Sequence, residues 1–167
     1  LLVAGTQVTK SNQNDVLEDG GSVKFDPTTN TLTLNDADLT LDGAAGGYCC
    51  IDSQLAKELT ITGTATLSNA DGILTEGPLT LDNATLTLTG NIDGDVGDDA
   101  IRAGRSDEDI TIQNSKVTIA GTNSEGNFFN YGIRCGKLTV ANSTLNVKAD
   151  SGSAIVADEV KASGPGP

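Results

Sequence analysis

Apolar and polar residues alternate in short runs along almost the whole chain, and the runs recur as three phrases. The first phrase places a small residue before an isoleucine and occurs at Ile51, Ile73, Ile101, Ile133 and Ile155, with spacings of 22, 28, 32 and 22 residues. The second begins at Leu32, Leu59, Leu79, Ile110 and Leu138, with a truncated copy at Val160. The third begins at Leu39, Ala65, Leu86, Val117 and Leu145. Alternation with a period of two predicts strands that bury one face.

A repeat of three short strands with loops of uneven length, and with no helical pattern, predicts an all-β parallel β-helix of about five coils. Each coil would stack its strands about 4.8 Å from those of the previous coil. The inward Leu, Ile and Val side chains would then form continuous rows along the stack.

The residue that ends the second phrase supports this interpretation. It is always Gly, Asn or Asp, at Asp36, Gly63, Asn83, Asn114 and Asn142. These residue types tolerate the left-handed backbone conformation that a tight corner requires. We therefore expect a corner at each position, with stacked side chains that hydrogen-bond along the stack.

The first thirty residues differ from the repeat. The stretch "LLVAGTQVT" indicates a strand, and "SVKFDPTTNTLTL" indicates a hairpin whose turn runs from Asp26 to Asn30. Residues 1–30 are therefore expected to form an antiparallel cap, because an uncovered strand edge invites aggregation. Residues 31–167 are expected to form the β-helix, truncated at its C-terminal end within the stretch "ASGPGP".

The composition excludes several kinds of catalytic site, metal site and partner. The chain has no His, which excludes Ser-His-Asp and Cys-His catalysis and His-ligated metals. Its 10 basic and 23 acidic residues give a net charge of −13, which argues against nucleic acid as a partner. No apolar run approaches the ~20 residues that a membrane-spanning helix needs. Any metal would be a hard cation held by oxygen atoms.

The loops between the third and first phrases vary most in length, and they gather acidic residues. The loop "GNIDGDVGDDA" carries Asp93, Asp95, Asp98 and Asp99, at spacings that the flexible coordination of Ca²⁺ can use. Part of it matches the nonapeptide calcium pattern, in a single copy where that pattern normally occurs in tandem. The alternative is a solvated turn rich in Asp.

The same loops gather most of the aromatic residues, and two arginines follow them. If Ile101 and Ile133 face inward, Arg102 and Arg134 face outward on neighbouring coils, where they could bind a uronate carboxylate. The alternative is that they pair with Asp52, Asp98 or Asp99. The aromatic candidates for stacking on sugar rings are Tyr48, Phe128, Phe129 and Tyr131.

The three cysteines are expected to be free thiols. Alternation turns Cys49 and Cys135 inward and Cys50 outward. Three coils would separate Cys49 from Cys135, which is beyond the reach of a disulfide.

The stretches "TNTLTLNDADLTLDG", "GDDAIRAG" and "YGIRCGKLTVANSTLNV", with the opening "VAGTQVT", resemble a carbohydrate-binding right-handed β-helix family of clostridial and gut bacterial secreted and cell-surface proteins. The resemblance covers most of the chain and implies a right-handed helix. It also implies a secreted or wall-associated location, binding of acidic polysaccharide, and calcium in some members. The same architecture carries polysaccharide lyases, so fold alone does not decide function.

The leading hypothesis is a non-catalytic module, secreted or at the cell surface, that binds acidic or cell-wall polysaccharide. One alternative is an adhesin-like structural stalk without a ligand of its own. The other is a calcium-dependent polysaccharide lyase, in which calcium acidifies the sugar proton and Arg102 or Arg134 abstracts it.

Overall fold

Strands account for 65% of the residues that the computed structural model describes, and none of those residues lies in a helix. The description covers residues 1–41, 49–68, 71–89, 99–120, 131–149 and 152–164. Within these ranges the strands form a curled open sheet of mixed orientation. The predicted all-β class is therefore confirmed.

Fourteen strands build this sheet. In chain order they are β1 (Leu2–Val3), β2 (Thr6–Gln7), β3 (Val23–Asp26), β4 (Thr31–Thr40), β5 (Cys49–Ser53), β6 (Leu59–Ser68), β7 (Asp71–Thr75), β8 (Leu79–Thr89), β9 (Asp99–Ala103), β10 (Ile110–Gln113), β11 (Lys116–Ala120), β12 (Tyr131–Ala141), β13 (Thr144–Val147) and β14 (Ile155–Ser163). The longer strands each carry two consecutive phrases of the repeat.

Parallel pairing aligns the three phrases in the register that their recurrence predicts, except in the first copy. The first row is Ile51, Ile73, Ile101, Ile133 and Ile155. The second is Leu59, Leu79, Ile110, Leu138 and Val160. The third is Ala65, Leu86, Val117 and Leu145. Most of these side chains are buried, and no aromatic ring of the described ranges is fully buried in the core that the rows form.

The first copy departs from the predicted register by two residues. Leu32 lies opposite Ile61 rather than Leu59, and Leu39 lies opposite Leu67 rather than Ala65. A shift of two keeps the same side chains on the buried face, so alternation alone does not distinguish the two registers.

The predicted corner conformation is confirmed at every copy. The φ angles are 49° at Asp36, 94° at Gly63, 51° at Asn83, 51° at Asn114 and 48° at Asn142. The side chains do not form a simple Asn ladder. The Nδ2 atoms of Asn83 and Asn114 instead donate to the same Asp82 Oδ1, at 3.0 and 3.2 Å.

Among the strands of the described ranges, antiparallel pairing occurs only with the N-terminal strands β1 and β3. Strands β3 and β4 form the predicted hairpin, in which Asp26 lies opposite Thr31. Strand β1 pairs antiparallel with β2 and with β5, where Val3 lies opposite Ile51. Val3 and Val23 are fully buried, so this segment covers apolar core that belongs to the first repeat.

Candidate functional site

Arg102 and Arg134 lie directly opposite each other on the parallel strands β9 and β12. Their neighbours Ile101 and Ile133 are fully buried, so alternation turns both arginines to the outer face of the sheet. The side chains are 34% and 29% exposed. The sequence prediction that these two residues stack on the outer face is confirmed.

The Asp99 carboxylate lies between the two guanidinium groups. Arg102 Nη1 donates to Asp99 Oδ2 at 3.2 Å, and Arg134 Nη1 lies 3.4 Å from both carboxylate oxygens. Asp99 is only 5% exposed, and a carboxylate this buried needs a charged partner. One carboxylate against two guanidiniums leaves a net charge of +1 on these three side chains.

Burial has the largest effect on the pKa of the Asp99 carboxyl. It raises the pKa of the Asp99 carboxyl above its ordinary value, while Arg134 and then Arg102 act in the opposite direction. The two arginines therefore offset only part of the desolvation of this carboxylate.

Tyr131 completes the group. It lies opposite Asp99 in the register between β9 and β12. The guanidinium carbon of Arg134 is 4.7 Å from the centre of the Tyr131 ring, which is within the range of a cation–π contact. Asp99, Arg102, Tyr131 and Arg134 are together called the arginine cluster below.

A second pair of side chains lies at the start of the neighbouring strands. Cys49 is opposite Asp71, and its Sγ is 4.0 Å from Asp71 Oδ2. Burial, followed by the charge of Asp71, raises the pKa of the Cys49 thiol. This thiol is therefore protonated at neutral pH and is a poor nucleophile.

All three cysteines are buried, and the prediction that they are free thiols is confirmed. The prediction that Cys50 faces outward is wrong, because Cys50 is fully buried and its Sγ donates to Ser68 O at 3.6 Å. Alternation breaks at the start of these strands, because the residue directly before the isoleucine is buried as well as the isoleucine itself. The equivalent positions Gly72, Ala100 and Gly132 are also buried.

The other predicted site residues lie outside the described ranges. These are Tyr48, Asp93, Asp95, Asp98, Phe128 and Phe129. Within the ranges that are described, no three Asp, Glu or Cys side chains gather as metal ligands would. Asp99, the one described member of the proposed calcium set, contacts arginines on both of its oxygens, an arrangement that disfavours a bound cation. Calcium remains a prediction that rests on the other three aspartates.

Comparisons with protein-family models, curated proteins and solved structures find no match to this chain. The described part of the chain contains no helix that could cross a membrane. The function of the arginine cluster is therefore inferred from its own contacts.

Proposed function

We propose that this chain is a non-catalytic module, secreted or at the cell surface, that binds acidic or cell-wall polysaccharide through the arginine cluster. The proposed architecture is a right-handed parallel β-helix with an antiparallel N-terminal cap. The three parallel rows and the five left-handed corners support the helix. Its hand and its location come from the family resemblance.

The observation that carries the proposal is the placement of two partly exposed guanidinium groups around one carboxylate. Asp99 and the two arginines together carry a net charge of +1, in a chain whose net charge is −13. Guanidinium groups bind carboxylates through directional, charge-assisted hydrogen bonds. Asp99 contacts Nη1 of each arginine, and the two side chains are 34% and 29% exposed, so other N–H groups of the pair could bind a uronate carboxylate.

Tyr131 supplies a second element of a glycan site. Its ring is partly buried and is held in place by the guanidinium of Arg134. An aromatic face beside a carboxylate-binding group suits a sugar acid, because the ring can pack on the sugar while the arginine binds its charge. The candidate aromatics Tyr48, Phe128 and Phe129 would extend this surface.

The contacts of the arginines favour binding over the lyase alternative. A lyase base must lose its proton before it attacks the substrate. Arg102 and Arg134 both donate hydrogen bonds to the Asp99 carboxylate, which orients their N–H groups as donors rather than as proton acceptors. Calcium held by Asp93, Asp95 and Asp98 would add a bridge to a second sugar carboxylate.

Calorimetric titration with polygalacturonate tests the proposal, with and without Ca²⁺. We expect Arg102→Gln and Arg134→Gln each to weaken binding about tenfold. Lys137→Gln is the matched control, because it removes one positive charge from the same strand as Arg134. Equal losses in all three variants would indicate non-specific charge attraction. A second titration with a mixed panel of cell-wall polysaccharides follows, and no binding to any of them would favour the stalk.

A further inference from the structure

A pocket of about 540 Å³ lies between the N-terminal hairpin and the turn that follows β5. Phe25, Pro27 and Leu55 provide its apolar surface. Asn30, Gln54 and Lys57 provide polar groups around it. None of these residues was a candidate in the sequence, because the pocket joins segments that are about thirty positions apart.

The turn that forms one wall of the pocket, residues 54–58, has backbone contacts on two sides. On one side, the Asn30 side-chain amide donates to Glu58 O, and Thr60 N donates to Asn30 O at 3.1 Å. On the other side, a side chain at Gly77 would come within 2.8 Å of the backbone of Ala56 and Lys57. The turn at 54–58 is therefore packed between the hairpin and the next repeat, which makes the pocket preformed.

Its apolar surface is accessible. Leu55 is 37% exposed, and the other large apolar side chains of comparable exposure in the described ranges all lie on β14. Phe25 is half-buried and packs against the core, so its ring is fixed while part of it lines the pocket. An exposed apolar patch with a polar rim is a common mark of a ligand site.

The polar groups have unused hydrogen-bonding capacity. Gln54 donates to Asp52 at 3.4 Å, which leaves its side-chain carbonyl as an acceptor. Asn30 uses its amide nitrogen and keeps its carbonyl oxygen. Lys57 is exposed and forms no ion pair with any residue of the described ranges. Two amide carbonyl groups and one ammonium group thus surround an apolar floor.

The charges near the pocket indicate a neutral ligand. Asp26, Asp52 and Glu58 adjoin the pocket residues in sequence, against the two cations Lys24 and Lys57. The resulting net charge of −1 does not attract an anion. A sugar ring, with one apolar face and several hydroxyls, matches both the apolar floor and the polar rim.

We propose that the pocket formed by Phe25, Leu55 and Gln54 is a second glycan subsite, which binds a neutral hexose ring. This rests on the proposed function, and it places a neutral sugar of the same polysaccharide beside the acidic one. Asp52, Leu74 and Arg102 are aligned across three adjacent strands, which is two strand spacings or about 10 Å. A glycan that lies along the stacking direction would therefore reach from the arginine cluster toward the pocket.

An NMR titration with methyl glucoside, methyl galactoside and methyl N-acetylglucosaminide tests the pocket without any acidic sugar. We expect saturable shifts in the amide signals of Phe25, Leu55, Ala56 and Lys57 with at least one hexoside. Leu55→Asp should weaken that binding about tenfold or more. Val156→Asp is the matched control, since it places the same charge at an exposed apolar residue outside the pocket, and it should leave the affinity unchanged.

The experiments distinguish rejection of the pocket from rejection of the proposed function. Absence of saturable shifts with all three hexosides up to about 50 mM would overturn the pocket, whatever polygalacturonate does. Equal loss in Leu55→Asp and Val156→Asp would also overturn it. Hexoside binding that survives Arg102→Gln, combined with no binding of acidic or cell-wall polysaccharide, would support the pocket and reject the proposed function.

Discussion

Arg102 and Arg134 are register partners on adjacent parallel strands, and their Nη1 atoms contact the same Asp99 carboxylate at 3.2 and 3.4 Å. The carboxylate is buried, whereas both arginines are about one-third exposed. The two arginines are thus partly hydrated. The charged form of the buried Asp99 carboxylate, in contrast, is stabilised by its contacts with them.

Removing both arginines should therefore be more damaging than removing the carboxylate. We expect the double variant Arg102→Gln and Arg134→Gln to lower the free energy of unfolding by about 2–3 kcal/mol, because it leaves a buried charge without cationic partners. Asp99→Asn alone should change it by less than about 1 kcal/mol, since the loss of ion pairs is offset by the loss of a desolvation cost.

Urea denaturation of the wild type, the single and double variants and the triple variant measures this coupling. The triple variant should recover most of the stability that the double variant loses. Recovery of none of it would contradict a role for the arginines in compensating Asp99. Asp158→Asn, at an exposed residue, is the control for removing an acidic charge.

The pH dependence of Asp99 follows from its burial. Its folded-state pKa is raised above the ordinary value of 3.8, so the folded state binds this proton more tightly than the unfolded state does. The stability that Asp99 contributes is therefore complete below 3.8 and is lost as the pH rises through the folded-state pKa. We expect the unfolding free energy of the wild type minus that of Asp99→Asn to fall over this window.

Urea denaturation of both proteins at several pH values from about 3 to 7 measures that difference. The comparison with the variant matters because other carboxylates shift in the opposite direction, as at Asp19 and Asp26. A difference that grows with pH would show that the arginines outweigh burial at Asp99.

Gly63 should be the least tolerant of the corner residues. Its φ is 94°, and a Cβ there would lie 1.8 Å from Leu34 O. We expect Gly63→Ala to lower the unfolding free energy by at least about 2 kcal/mol, because the backbone must shift to accept the methyl group. Asn114→Gly is the matched control at an equivalent corner with φ 51°, and it should change stability by less than about 1 kcal/mol. Thermal unfolding distinguishes the two, and equal effects would contradict the steric argument.

The corners and the outward-facing arginines could be predicted from the sequence, because each depends on local conformational preferences. Left-handed backbone restricts residue type strongly, so Asp36 and Asn83 mark corners in the sequence as well as in the structure. Outward placement of Arg102 and Arg134 followed from alternation around the buried isoleucines. Each inference depended on residues that are near in sequence or related by the repeat.

The features that were missed depend on contacts between distant segments. The register of β4 against β6 differs from that of the later copies by two residues, a shift that alternation within each strand does not encode. Phe25 and Leu55 meet in one pocket only because the hairpin folds against the first repeat. Cys50 was misplaced because alternation does not hold at the residue directly before the isoleucine, which is buried in each of these strands.

The burial of Cys50 leads to a last prediction, on thiol reactivity. Burial raises the pKa of Cys50 to about 12 and that of Cys135 to about 11, and it also raises that of Cys49. Thiolate is the reactive species, so the folded protein should react very slowly with Ellman's reagent at pH 8. In urea all three thiols should react promptly, since none is in a disulfide. Cys50→Ser serves as the variant that identifies the residue: if a fast thiol in the folded wild type disappears in Cys50→Ser, then Cys50 is exposed as the sequence alternation had predicted, and its burial in the core is wrong.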